Sequence, residues 1–111
     1  MIAGPLWNRA DATARANAAY DRMYHPTGAA FQMAAIVSSG DRTEHLRSLD
    51  LPFGVIHGHC DQLINVSGGM ATAEAVPEAE LALFDEMGHD LPRPLWPEII
   101  DAIEATARRA A

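Results

Sequence analysis

Two short phrases hold most of the side chains able to do chemistry. His57-Gly58-His59-Cys60-Asp61 follows one apolar run, and Met87-Gly88-His89-Asp90 follows another. An aspartate set against an imidazole selects its tautomer and stabilises the imidazolium. The free ring nitrogen then serves as base toward a nucleophile and as acid toward a leaving group. Asp61 before His89 is the order in which that chemistry is found on successive strand-end loops. The first phrase also supports a different chemistry. His57-x-His59-x-Asp61 matches the opening of a His-x-His-x-Asp-His zinc motif, where histidines two apart bind one metal and the aspartate a second. Gln62 stands where that motif has its last histidine, which weighs against the metal reading. Cys60 as a nucleophile paired with His89 lacks a neighbouring cation that would favour its thiolate.

These side chains need elements to hold them. Residues 8–24, NRADATARANAAYDRMY, are rich in alanine and arginine, contain no proline and predict a helix. His25-Pro26 ends it. A second helix carries Phe31, Ala34 and Ala35, with Met33, Ile36 and Val37 widening its apolar side, and stops at Gly40. Asp41 and Glu44 have capping-box spacing for a short third helix through His45, Leu46 and Leu49. Residues 52–57 are a short continuous apolar run, which reads as a strand buried on both faces. A helical stretch over 69–76, broken at Pro77, and a second strand over 79–84 follow. Strand, helix, strand is a βαβ unit with parallel strands. The last helix, over 97–109, has Pro97 and Glu98 in its first turn and an Ile99, Ile100, Ile103, Ala107 stripe. Arg108 and Arg109 at its end complement the helix dipole. Ligands of open α/β sheets collect beyond the C-terminal strand ends, which places Asp61 and His89 in one crevice.

Residues 49–92, LDLPFGVIHGHCDQLINVSGGMATAEAVPEAELALFDEMGHDLP, resemble the C-terminal half of an α/β-hydrolase. That family has a Pro-x-x-Val-Ile-His-Gly strand, here Pro52 to Gly58. A loop with the catalytic aspartate and a hydrophobic pair follows, here Asp61 with Leu63 and Ile64. Val76-Pro77-Glu78-Ala79-Glu80-Leu81 and Gly88-His89 continue the pattern. The likeness is close over residues 41–109 and loose over the first forty, where the family has a variable cap. Within the family it is nearest to bacterial esterases that cleave carboxylic methyl esters on polyketides. The resemblance implies an α/β fold that is the C-terminal portion of an α/β-hydrolase: a helical cap-like segment over 1–40 and the hydrolase segment over 41–111. It implies Asp61 and His89 as the acid and histidine of a Ser-Asp-His triad.

The family's Gly-x-Ser-x-Gly nucleophile motif and His-Gly-Gly oxyanion segment are not found in the sequence. Asn65-Val-Ser67-Gly68-Gly69 lacks the first glycine and follows the acid instead of preceding it. The expectation is therefore a truncated esterase-like chain, inactive alone, needing no cofactor. It would act on a small-molecule ester once an N-terminal segment complements it. A second expectation, from another class, is a non-catalytic α/β module that binds a partner, with self-association through an exposed sheet edge. The third is a metallo-hydrolase using His57, His59 and Asp61.

Composition narrows the partners. Eight basic against 15 acidic residues give a net charge of −7, the wrong sign for a nucleic-acid footprint. No apolar run reaches the roughly 18 to 20 residues of a membrane span. The single cysteine excludes an intrachain disulfide framework and fits a reducing, cytoplasmic setting. The N-terminus lacks the pattern of a secretory leader. Trp7, Met23, Tyr24, Phe31 and Met33 read as core of the N-terminal helices, with some able to line an acyl pocket. His57, ending an apolar strand, reads as a packed or turn histidine.

Overall fold

The computed structural model describes residues 3–110, in two units: Asn8–Arg42 and the rest of the described chain. The first unit holds α1 (Arg9–Arg22) and α2 (Gly28–Ser39). Asn8 caps α1, its Oδ1 accepting the Asp11 N–H at 3.0 Å. Gly40, at φ 61°, ends α2 in a backbone conformation that glycine adopts without strain. Met23, Tyr24, Phe31 and Met33 are exposed, which corrects their reading as core. A two-helix unit has too little surface to cover a helix that is apolar nearly all round.

The second unit follows the order α3 (Thr43–Arg47), β1 (Gly54–Gly58), α4 (Val66–Ala75), β2 (Glu80–Phe84), a 3-10 turn (Arg93–Leu95) and α5 (Trp96–Arg108). β1 and β2 pair in parallel, from Gly54 opposite Glu80 to Gly58 opposite Phe84, with α4 in the crossover. The chain is thus α/β in class. α4 begins at Val66, earlier than its apolar pattern predicts, because Asn65 caps it: its Oδ1 accepts the Ser67 N–H at 3.0 Å.

Successive strand residues point to opposite faces. His57 lies against Gly69 of α4 and Gly54 against Thr106 of α5, so the two helices cover opposite faces of β1. Arg109 ties the end of α5 to the entrances of both strands. Its Nη2 donates to the Phe53 carbonyl at 2.8 Å and its Nη1 to the Glu78 carbonyl at 2.9 Å.

Burial is shallower than expected. Val76, Met87 and Ile99 are buried, but β1 is only half-buried, so a helix lies on each face and the burial expected of a strand enclosed on both faces is incomplete. The Glu80 N–H donates to Phe53 O and the His59 N–H to Phe84 O. By the alternation of a parallel ladder, the N–H and C=O groups of Gly54 and Ile56 face away from β2. Among the described residues the sheet has two strands, so that edge is open. On α5, Ile100 and Ile103 are exposed beside the buried Ile99, so only part of the expected stripe is covered. No helix among the described residues is long and apolar enough to cross a membrane.

Candidate active site

β1 and β2 end side by side, and a loop leaves each in the same direction. Gly58 allows the two loops to touch. A Cβ there would lie inside contact distance of the Met87 carbonyl, so a larger residue would force the strand ends apart. The Cys60 N–H donates to that same carbonyl at 3.0 Å and fastens one loop to the other.

Asp61 and His89, 28 positions apart, meet across this junction: His89 Nδ1 lies 2.8 Å from Asp61 Oδ2. A carboxylate accepts, so Nδ1 carries the hydrogen, and in the neutral ring the lone pair then lies on Nε2. The Asp61 side chain is 5% exposed, whereas that of His89 is 43% exposed. Asp61 Oδ1 accepts the N–H groups of Leu63 and Ile64, each at 2.9 Å. The hydrophobic pair after the aspartate therefore contributes its backbone to the site, while both side chains are exposed. Burial alone would raise the Asp61 carboxyl. The Ile64 N–H, the His89 imidazole and the Leu63 N–H outweigh it and hold the group below its ordinary value of 3.8.

His57 is the second imidazole at this carboxylate. Its side chain is 12% exposed, and its Nε2 lies 3.6 Å from Asp61 Oδ2, beyond hydrogen-bond distance. Nε2 donates instead to the Ile64 carbonyl at 2.9 Å. The ring rests on Gly69, where a Cβ would come within 2.7 Å of Nδ1. His57 is packed, as its position at the end of an apolar strand predicts. Its bond to Ile64 joins it to the aspartate loop, a link that residue spacing does not reveal.

The metal reading is corrected by these directions. His59 turns outward to Asp85, with Nε2 3.7 Å from Oδ1, while His57 is bound to a backbone carbonyl. Among the described residues no three His, Cys, Asp or Glu side chains converge on a metal position. Cys60 also points away from His89, its thiol donating to the Asp85 carbonyl at 3.1 Å.

A cleft of about 350 Å³ opens at the pair, with Ile56, Ile64, Met87 and Leu91 supplying apolar wall. No serine is among its described lining residues. Asp90 also lines it, and Asp90 Oδ1 is shielded from solvent with no hydrogen-bond partner among the described residues. The arrangement can orient an imidazole, present its Nε2 to the cleft mouth and hold a counter-charge behind it.

No family model matches the chain. A non-heme chloroperoxidase, CPO-A1 of Kitasatospora aureofaciens, is 35% identical over 52 residues, which are 46% of this chain and 19% of that protein. The chain thus spans under a fifth of the curated relative that it matches. The relative is an α/β-hydrolase family member, and the match supports a distant α/β-hydrolase relationship.

Proposed function

We propose that this chain carries the acid–base pair of an α/β-hydrolase-type site acting on carboxylic esters. The observation that carries the reading is the 2.8 Å contact between His89 Nδ1 and the buried, doubly braced Asp61 carboxylate. In this reading His89 Nε2 takes the proton of a serine hydroxyl as its oxygen attacks the ester carbonyl. The imidazolium donates to Asp61 through Nδ1–H and gives the Nε2 proton to the departing alkoxide. The same nitrogen then deprotonates the water that releases the acid, and Asp61 remains ionised throughout. The serine and the oxyanion donors come from a segment outside these 111 residues, in which the nucleophile motif is not found. The substrate class is a small-molecule ester, and the single free thiol of Cys60 fits a cytoplasmic setting.

The test combines a fluorophosphonate serine-hydrolase probe with p-nitrophenyl butyrate turnover. The purified chain alone is expected to give neither labelling nor turnover. Mixed with an α/β-hydrolase fragment that bears Gly-x-Ser-x-Gly, it should gain turnover that Asp61→Asn lowers by about 10⁴-fold. Labelling of the isolated chain that disappears in His89→Ala would mean that an internal serine, such as Ser67 or Ser39, completes the site. Complemented turnover indifferent to His89→Ala would overturn the reading.

One observation favours a second reading, a partner-binding α/β module. Besides the open edge of β1, the unit has an apolar groove of about 510 Å³ between the two strands and α5, with Ile56, Leu81 and Ile103 among its lining. An open strand edge is a template for pairing with another chain, including a second copy, and an apolar groove offers it further surface to bury.

A further inference from the structure

We propose that His57 is the positioning residue of Asp61, an inference that rests on the reading of Asp61 and His89 as an acid–base pair. The aspartate sits in a loop whose backbone must wrap around it: Leu63 and Ile64 both turn their N–H groups onto Oδ1. A loop holds such a shape only if something rigid holds the loop. His57 supplies that anchor. It belongs to β1, its ring is pressed against α4 at Gly69, and its Nε2–H binds the carbonyl of Ile64. Ile64 is thereby gripped at both backbone groups, its N–H by the carboxylate and its C=O by the imidazole. Rotation of the loop away from Asp61 breaks two hydrogen bonds and leaves a carbonyl unpaired beside a packed ring, which is costly.

The same Nε2 lies 3.6 Å from Asp61 Oδ2, too far for a hydrogen bond, so His57 acts on the carboxylate through the loop. An apolar residue of similar volume would fill the space under α4 and leave the Ile64 carbonyl unpaired. Gly69 is an independent part of the device, because any side chain there would push the ring off its seat.

Amide hydrogen exchange and the His89 Nδ1–H proton resonance, measured by NMR on the full chain, test this. In His57→Leu the Leu63 and Ile64 amides should exchange about tenfold faster, the scale of one lost hydrogen bond, while the β1 and β2 ladder amides keep their protection. The His89 Nδ1–H signal should broaden away. His57→Gln, whose amide N–H has similar reach, should retain both properties. Gly69→Ala, which displaces the ring without altering it, should reproduce the loss and stands in if His57→Leu does not fold. Unchanged Leu63 and Ile64 exchange in the loss variants would overturn the proposal. So would equal loss across the ladder amides, or a Gln variant no better than Leu. Asp61→Asn separates the two readings: a His89 Nδ1–H signal that survives it means that the pair itself is absent.

Discussion

Asp61 has to be buried and charged at once, and three donors make that possible. Its carboxyl lies below 3.8, so the folded state holds its proton more weakly than the unfolded chain does. The stabilisation is fully present above 3.8 and is lost as pH falls through the lower folded value. Denaturant melts across pH 6 to 2.5 should therefore show the natural chain losing more stability in the acid limb than Asp61→Asn, with the two curves converging at the acid end. Parallel curves would mean that the carboxylate is not held as the geometry indicates. At this scale the sequence was partly readable. Residue types and order single out Asp61 and His89, and the structure brings them into hydrogen-bond contact. The link from His57 to Ile64 was hidden, because its acceptor is a backbone carbonyl, which every residue has. The metal reading misled for a local reason. Histidines two apart share a direction only while a strand continues, and β1 ends at Gly58, between His57 and His59.

The elements act on the site through close approach. Gly58→Ala puts a methyl group against the Met87 carbonyl, so the loops bearing Asp61 and His89 must separate. A loss of about 1–3 kcal/mol is expected in thermal or denaturant melts, as for other overpacked positions, with loss of the His89 Nδ1–H signal. Ile99 is the buried anchor of α5, and Ile99→Ala should cost about 2–4 kcal/mol. Ile100→Ala, on an exposed position of the same helix, should cost far less. Both strands and the five helices among the described residues follow from local signals: alanine and arginine content for α1, apolar spacing for α2 and α5, capping spacing for α3, apolar runs for the strands, and proline punctuation throughout. The early start of α4 was obscured because residues 66–68 read as the end of the polar loop, although Asn65 already caps the helix. The work of Arg109 was hidden differently. A helix-terminal arginine suggests a dipole partner, but its acceptors are carbonyls 31 and 56 positions away.

At the scale of the whole molecule the sequence pattern over-promised burial. An apolar strand predicts cover on both faces and partners on both edges, and among the described residues β1 has a strand on one edge only and is half-buried. The number of neighbours that a strand finds is decided by the rest of the sheet, so a strand's own residues cannot encode it. The open edge and the groove beside Ile103 lead us to expect concentration-dependent association in sedimentation velocity, weakened by Ile103→Lys. A single monomeric species with a sharp, concentration-independent melt would contradict this. The parallel register of β1 and β2 carries a last consequence, for the tolerance of the gene to insertions and deletions. Asp61 is counted from Gly58 and His89 from Phe84, and those two residues face each other. Codons gained or lost within 70–79 change the length of the crossover and leave both counts, and Gly69 under His57, in place. One codon gained or lost within 59–60 or 85–88 shifts the donor or its acceptor by a Cα step, about 3.8 Å, more than a hydrogen bond can span. Descendants of this gene that keep the pair should therefore vary in length inside the crossover and keep one length in the two short loops.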